Sequence, residues 1–287
     1  GLGNDWTPVR GLGAGMTMTA LVQSSTAVTV ASIGFVNTGL LSLQNAMWVI
    51  FGSNVGTTLN AWLVAALGFS FRIDAFALPF VGIGATLMLA GRTVRQRALG
   101  QALAGFGVLF LGIDALKDTF SGFGATMNLQ DHIAPGLVGW LILVGIGTLL
   151  TVLMQASGAV IAIIITAAQG GLMSIEAACA MVIGTNIGTT STAILSALGA
   201  TSNARRVAAT HVIFNLVTGA VAIALLPLLI GLLGALRNWF EQPATPAVML
   251  AMFHTAFNVL GVLLMVPLAR PLRRFLASHF RSREEEI

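Results

Sequence analysis

The sequence predicts an all-α, polytopic membrane protein of two inverted repeats, each with a re-entrant helical hairpin, a broken transmembrane helix and two further transmembrane helices. Three observations lead to this prediction. Of the 287 residues, 56% are hydrophobic and only 8% are charged, whereas a soluble domain carries about 25% charged residues. Apolar stretches long enough to cross a bilayer recur along the chain. One polar word occurs twice, as GSNVGTT at 52–58 and as GTNIGTT at 184–190.

A constant offset of 132 residues relates the two halves of the chain. It aligns residues in two separated motifs: Gln23 with Gln155, Ser25 with Ser157, and Gly52, Asn54, Gly56, Thr57 and Thr58 with Gly184, Asn186, Gly188, Thr189 and Thr190. Two motif pairs that keep one offset indicate structural repeats, and in an apolar chain such repeats are typical of secondary transporters. We expect one transmembrane repeat over 1–131 and a second over 132–287, the second ending in a basic amphipathic tail.

Each repeat is predicted to hold four hydrophobic elements in the same order. The first element carries a Gln-Ser word at its middle, the second is interrupted by the GxNxGTT word, and two continuous spans follow. The elements are 9–37, 43–68, 73–91 and 98–117 in the first repeat, and 138–169, 175–199, 205–233 and 247–269 in the second.

The first element of each repeat either crosses the bilayer or turns back inside it. A limb of about 12 residues is about 18 Å long, which is enough to reach mid-bilayer and return. With hairpins, each repeat crosses three times and the lysines and arginines divide 11 to 3 between the two sides, with Arg72, Lys117 and Arg237 in the minority. Full crossings would divide them 10 to 4. The positive-inside rule therefore favours hairpins in a multi-pass cell (inner) membrane protein with both termini in the cytoplasm.

Polar words at mid-membrane predict a binding site. Unpaired backbone amides in hydrocarbon cost several kcal/mol, so helices break there only where protein or a water-filled cavity satisfies them. Neutral Ser, Thr and Asn oxygens suit sodium, and helix N-termini after a break suit an anion. The only charged residues in the two polar elements of each repeat, Arg10 and Glu176, stand near their ends. Co-bound cations would therefore have to neutralise an anion. Close helix packing is the alternative role of such small residues, and we favour it for lone glycines such as Gly11.

The words LVQSSTA (21–27), GSNVGTT, QASGA (155–159) and GTNIGTT resemble those of the type II sodium–phosphate cotransporter family in its compact bacterial form. The resemblance covers both halves and implies sodium-driven symport of inorganic phosphate by alternating access. It implies that phosphate is held at the hairpin tips, by Gln23, Ser24, Ser25, Thr26, Gln155 and Ser157. It implies that sodium, the co-transported cation, is held by Ser53, Asn54, Thr57, Asn60, Thr185, Asn186, Thr189, Thr190 and Thr192. Because Ala156 and Gly158 replace hydroxyl residues of the family pattern, the second tip is expected to use backbone amides or to bind more weakly.

Several other features carry simpler expectations. The two HxxFN words, at His211 and His254, allow proton coupling or, more simply, hydrogen bonding between helices. Four tryptophans are expected to anchor the interfaces: Trp6, Trp48, Trp140 and Trp239. The tail 270–287 is expected to form an amphipathic helix on the cytoplasmic surface. We expect no disulfide, since Cys179 is the single cysteine, and no signal peptide.

Rival functions are weighed against a transporter in contact with phosphate, sodium and the lipid bilayer. The isoelectric point near 11.0 does not indicate nucleic-acid binding, because the basic residues form no single face. We expect no enzyme and no organic cofactor, since the chain has no HExxH, GxSxG or acidic dyad. A channel would need a continuous polar stripe. A sodium-coupled transporter of another anion, such as sulfate or a dicarboxylate, stays open, because neutral hydroxyl donors distinguish such anions poorly.

Overall fold

The computed structural model describes residues 6–70, 74–239 and 245–281, and every regular element in these ranges is a helix. The α-helices are α1 Pro8–Val22, α2 Ser25–Asn37, α3 Leu43–Gly56, α4 Leu59–Ala65, α5 Asp74–Ala90, α6 Val94–Gly124, α7 Gly136–Met154, α8 Ser157–Gln169, α9 Ile175–Ser196, α10 Ser202–Ala224, α11 Leu226–Trp239 and α12 Pro246–His279. A π-turn, Ala66–Ser70, and a 3₁₀ turn, Leu129–His132, complete them. Within the described ranges, six helical segments are long and apolar enough to span a membrane. The predicted all-α polytopic class is therefore confirmed.

The first helix pair, α1 and α2, packs against α3. At one end of α3 the Trp6 amide donates to Asn45 Oδ1 at 2.9 Å, and at the other end a side chain on Gly56 would collide with Thr19. Helices α1 and α3 therefore run in the same direction. Helix α2 ends at Asn37, and a short loop leads back to the start of α3. The start of α1 and the end of α2 thus lie at the same end of α3, so the chain turns back between these two helices.

The second helix pair, α7 and α8, packs against α9 in a similar way. A side chain on Gly188 would collide with Thr151, near the end of α7, while Trp140, near its start, lines a common pocket with Ala177 at the start of α9. Helix α8 ends at Gln169, and five residues separate it from the start of α9. The start of α7 and the end of α8 therefore both lie beside the start of α9.

The free ends of the two helix pairs lie at opposite ends of the bundle. The end of α2 contacts the start of α10, because the Thr201 amide donates to Asn37 Oδ1 at 2.9 Å, and α10 begins just after α9 ends. The end of α8 instead contacts the start of α12, because the Ala247 amide donates to Gln169 Oε1 at 3.2 Å. The turns of the two pairs therefore approach each other from opposite ends. Whether the pairs are re-entrant and the repeats inverted in a membrane stays a prediction.

Helix α9 corrects one prediction, because it continues through GTNIGTT without a break. Its glycines serve close packing: a side chain on Gly184 would collide with the Val144 carbonyl of α7. Its hydroxyls bond carbonyls of the same helix, as Thr185 does to Val182 O at 2.7 Å. The backbone of α9 is helical throughout Ile175–Ser196, so no unwound segment interrupts this helix.

The first word departs from a helix only slightly. Thr57 and Thr58 keep right-handed helical dihedral angles, and the Thr58 amide donates to Val55 O at 3.0 Å in a tightened turn. The predicted break is therefore a change of hydrogen-bond register between α3 and α4, not an unwound stretch.

Two predicted spans also differ from the structure. The span 205–233 is divided into α10 and α11 at Leu225, next to Pro227, which has no N–H to continue the helical bonds. The last span and the tail form one helix, α12, in which Leu272 and Leu276 are buried against the bundle, so the tail up to His279 is no separate surface helix. Arg72 and residues 282–287 lie outside the described residues.

Candidate functional site

Both polar turns are built by a glutamine in the left-handed backbone region. Gln23 has φ 56° and Gln155 has φ 53°, and among the described residues they are the only non-glycine residues with positive φ. This conformation costs roughly 1–2 kcal/mol for a residue with a Cβ atom. Each glutamine ends the preceding helix with a backbone hydrogen bond. The Gln23 N–H donates to Thr19 O at 2.7 Å, and the Gln155 N–H donates to Thr151 O at 2.8 Å. Strain at both positions of a sequence repeat indicates a functional turn.

A new helix starts directly after each turn, with a serine as its first residue. Ser25 begins α2 and Ser157 begins α8. The first amides of a helix have no acceptor within that helix, and they carry a partial positive charge. At the first turn, Ser24 caps the helix by accepting from the Ala27 amide at 3.1 Å. At the second turn, Ala156 offers no side-chain cap, so this helix end depends more on other acceptors.

The two turns meet at one cavity of about 340 Å³. All six residues predicted to hold the anion line it: Gln23, Ser24, Ser25, Thr26, Gln155 and Ser157. None of the described residues that line it is charged. The volume lies at the lower end of the roughly 300–1,000 Å³ typical of small-molecule sites. Two helix N-termini and several hydroxyl and amide groups thus converge on one small space that suits an anion.

The residues predicted to hold the cation make several kinds of contact. Asn60 lines the anion cavity itself, and Thr192 donates a hydrogen bond to Gln155 Oε1 of the second turn. Several others bond carbonyls of their own helix: Ser53 and Asn54 to Ile50, Thr185 to Val182, Thr189 to Asn186, and Thr190 to Ile187. Thr57 is partly buried in the α3–α4 turn. Their role as sodium ligands stays a prediction.

Comparison with protein families decides the affiliation of the chain. The model of a family described as Na+/Pi-cotransporter matches residues 5–118 and 128–266. The chain belongs to this family. The resemblance inferred from the Gln-Ser and GxNxGTT words is therefore confirmed, and both helix pairs and both words lie inside the matched ranges.

Relatives of this Na+/Pi-cotransporter family member include three proteins of different description. The "Putative inorganic phosphate export protein YjbB" of Escherichia coli is 28% identical over 273 residues, 95% of this chain and 48% of that protein. The "Uncharacterized protein YqeW" of Bacillus subtilis is 28% identical over 272 residues, 94% of this chain and 84% of that protein. The "Sodium-dependent phosphate transport protein 2A" of Oryctolagus cuniculus is 40% identical over 75 residues, 26% of this chain and 12% of that protein. The chain thus spans about half the length of its YjbB relatives. No solved structure matches it significantly.

The residues of the two HxxFN words contact the second GxNxGTT word on α9, which the sequence did not predict. Asn186 donates from Nδ2 to Asn258 Oδ1 at 2.8 Å, and its Oδ1 lies 3.2 Å from His254 Nε2. The ring of His211 lies 3.3 Å from Thr29 Oγ1 and 3.4 Å from Thr189 Oγ1. Both histidines therefore tie α9 to its neighbours, which is the helix–helix role expected of them.

Thr255, next to His254, is a residue that the sequence analysis missed. Its hydroxyl accepts from Trp62 Nε1 at 2.9 Å and donates to Thr58 Oγ1 at 3.1 Å. Helix α12 thereby contacts both GxNxGTT words. Only the duplication of HxxFN hinted that α10 and α12 contact the GxNxGTT words.

Three buried oxygen atoms near the turns have no hydrogen-bond partner among the described residues: Thr19 Oγ1, Thr151 Oγ1 and Asn60 Oδ1. Thr19 and Thr151 occupy equivalent positions of the repeat, one turn before each glutamine. Other buried helical threonines, such as Thr166 and Thr210, donate to a carbonyl four residues earlier. The unpaired oxygens are acceptors of the kind a hard cation needs.

Proposed function

We propose that this protein is a sodium-coupled symporter of inorganic phosphate that works by alternating access. The observation that carries the proposal is the uncharged cavity between the two Gln-Ser turns, with the N-terminal amides of α2 and α8 beside it. Amides and hydroxyls are the donors that phosphate oxygens accept. The names of the sodium-dependent and phosphate-exporting relatives agree with this substrate.

Sodium follows from the charge of the site. An anion in a cavity without arginine or lysine needs a compensating cation, because isolated charges are costly to transfer from water. The unpaired oxygens of Thr19 and Thr151 lie one helical turn before each glutamine, and the unpaired oxygen of Asn60 belongs to a residue that lines the cavity. On this proposal sodium is cargo bound with phosphate. Its ligands would be drawn partly from residues outside the set implied by the family resemblance.

A difference between the two turns supports alternating access. The side chain of Gln155 bonds α9 twice, donating to Ser191 Oγ at 3.3 Å and accepting from Thr192. In the described part of the chain, the Gln23 side chain has one hydrogen bond, to Ala20 O of its own helix at 2.5 Å. The repeat equivalent of Thr192 is Asn60. We propose that the second turn is held in this state and the first is free, and that the opposite state reverses these roles.

Transport into proteoliposomes tests the proposal. Labelled phosphate uptake should depend on an inward sodium gradient and should stop when potassium replaces sodium. Loading the vesicles with phosphate and reversing the gradient tests the export direction that the YjbB name states. A phosphate uptake rate that is the same with and without a sodium gradient would refute the coupling. Equal competition by sulfate would assign the site to tetrahedral anions in general.

A matched pair of serine variants tests the position of the site. Ser25→Ala removes a hydroxyl from the cavity, and it should raise the KM for phosphate roughly tenfold, since a hydrogen bond to a charged group contributes about 1.5–3 kcal/mol. Ser32→Ala is the control, because Ser32 is equally buried in α2 but bonds Val28 O at 2.7 Å, two turns from the cavity. An equal KM in both variants would place the anion elsewhere.

A further inference from the structure

A second cavity of about 410 Å³ lies between the start of α1, the start of α3 and the last turns of α12. It is distinct from the cavity between the turns, which is lined by none of the same residues. Its polar wall is formed by Arg270, Arg273 and Gln44. Arg273 donates a hydrogen bond to Gln44 Oε1 across the gap between α12 and α3. None of the described residues that line this cavity is acidic.

The length of α12 agrees with a position of Arg270 and Arg273 at the lipid headgroups. Arg270 follows Pro246, the first residue of α12, by 24 positions, which is about 36 Å along a helix. The hydrocarbon core of a bilayer is about 30 Å thick. The segment before Arg270 in α12 is apolar and long enough to cross that core. The start of α10, with Arg205 and Arg206, and the start of α1 lie at this same end of the bundle, which is the predicted cytoplasmic side.

The remaining walls of the cavity are apolar. Pro8, Val266 and Pro267 line the cavity together with Trp48. Trp48 was expected to anchor the interface, but only 7% of its surface is exposed. The cavity therefore combines two guanidinium groups with an apolar surface.

We propose that this cavity binds the phosphate headgroup of an anionic glycerophospholipid from the surrounding bilayer. The guanidinium groups of Arg270 and Arg273 match phosphate oxygens in geometry and charge. The apolar wall, formed partly by Val266 and Pro267 just before Arg270 in α12, accommodates the glycerol and the first acyl carbons. Basic pockets between transmembrane helices on the cytoplasmic side favour such headgroups. A free phosphate ion shares the anionic chemistry but would leave the apolar wall without an occupant. The inference stands independently of what the protein transports.

Lipid binding to the purified protein in neutral detergent tests the proposal. Native mass spectrometry and the thermal unfolding midpoint are measured with phosphatidylglycerol, with phosphatidylcholine of the same acyl chains, and with inorganic phosphate. Phosphatidylglycerol should be retained and should raise the midpoint more than the other two. The double variant Arg270→Gln/Arg273→Gln should weaken phosphatidylglycerol binding roughly thirtyfold. The control double variant Arg92→Gln/Arg95→Gln removes the same charge at exposed positions near the α5–α6 junction that do not line the cavity, and it should bind as the wild type does.

Two results would overturn the proposal. Equal phosphatidylglycerol binding by the wild type and by the Arg270/Arg273 double variant would show that these arginines hold no headgroup. A midpoint raised by inorganic phosphate through the same arginines, with no effect of phosphatidylglycerol, would assign the cavity to the free anion. If the double variant does not fold, the single variant Arg270→Gln replaces it, since Arg270 lines the cavity while the bond to Gln44 is made by Arg273. Unchanged lipid retention in Arg270→Gln would then contradict the assignment.

Discussion

Asn186→Ala should destabilise the protein by about 2–4 kcal/mol. The Asn186 carboxamide bonds Asn258 and His254 on α12, and all three residues are at most 5% exposed. Alanine leaves Asn258 Oδ1 and the His254 ring nitrogen without this partner inside the bundle. A buried polar group left unpaired costs about 1–3 kcal/mol, and hydrogen bonds between membrane helices contribute up to about 1–2 kcal/mol. Loss of two such contacts gives the stated magnitude.

Asn54→Ala is the matched control for this prediction. Asn54 occupies the same place in the first GxNxGTT word and is 2% exposed, but its side chain donates to Ile50 O of its own helix at 2.8 Å. That carbonyl keeps its helical partner when the side chain is removed, so the cost should be at most about 1 kcal/mol. Unfolding by sodium dodecyl sulfate in mixed micelles, followed by tryptophan fluorescence, measures both variants. If Asn54→Ala destabilises the protein as much as Asn186→Ala, the network between α9 and α12 does not carry the stability assigned to it.

Two further predictions concern packing and gating. Gly184→Ala should lower the unfolding midpoint, because the added Cβ would meet the Val144 carbonyl. The control is Gly145→Ala, which has open space around it and should raise stability by up to about 1 kcal/mol. A midpoint that falls equally in both variants would contradict close packing of α7 on α9. Thr192→Val removes the donor to Gln155 Oε1 and should loosen the second turn. The loosening is measured as faster motion of a spin label attached to Ala156→Cys, an exposed position, in a Cys179→Ser background. Thr166→Val in α8 is the control, and unchanged label motion would show that this bond does not hold the turn.

Much of the helix layout followed from the sequence because its signals are local. The Gln-Ser words predicted interruptions at the middle of 9–37 and 138–169, and the helices break at Gln23 and Gln155. Polar residues between apolar limbs have few other uses in a membrane, which makes this signal specific. The six residues predicted to hold the anion flank the two turns and line one cavity, while their role in binding stays a prediction.

The GxNxGTT words were less predictable because glycine and threonine serve two physical roles. Glycine permits a broken helix, but it equally permits the close approach of two helices, and a threonine hydroxyl can bind an ion or the carbonyl one turn earlier. In α9 the glycines serve close packing, since a side chain on Gly188 would collide with Thr151, and the threonine hydroxyls bond carbonyls inside the continuous helix. The choice depends on which helix lies alongside, and this information is absent from the word itself.

The divergence that follows the two words explains how similar motifs can support unequal states. After GTNIGTT come Ser191 and Thr192, whose hydroxyls hold Gln155 of the second turn. The equivalent positions after GSNVGTT are Leu59 and Asn60. Asn60 lies beside Gly158 of the second turn, where a side chain on Gly158 would crowd the Asn60 carboxamide. Each half therefore contacts the second turn, the second half through hydrogen bonds to Gln155 and the first half through Asn60 beside Gly158. The Gln23 side chain of the first turn bonds only its own helix among the described residues. On the proposed mechanism this is one of two states. We expect Asn60, the repeat equivalent of Thr192, to bond Gln23 in the other state.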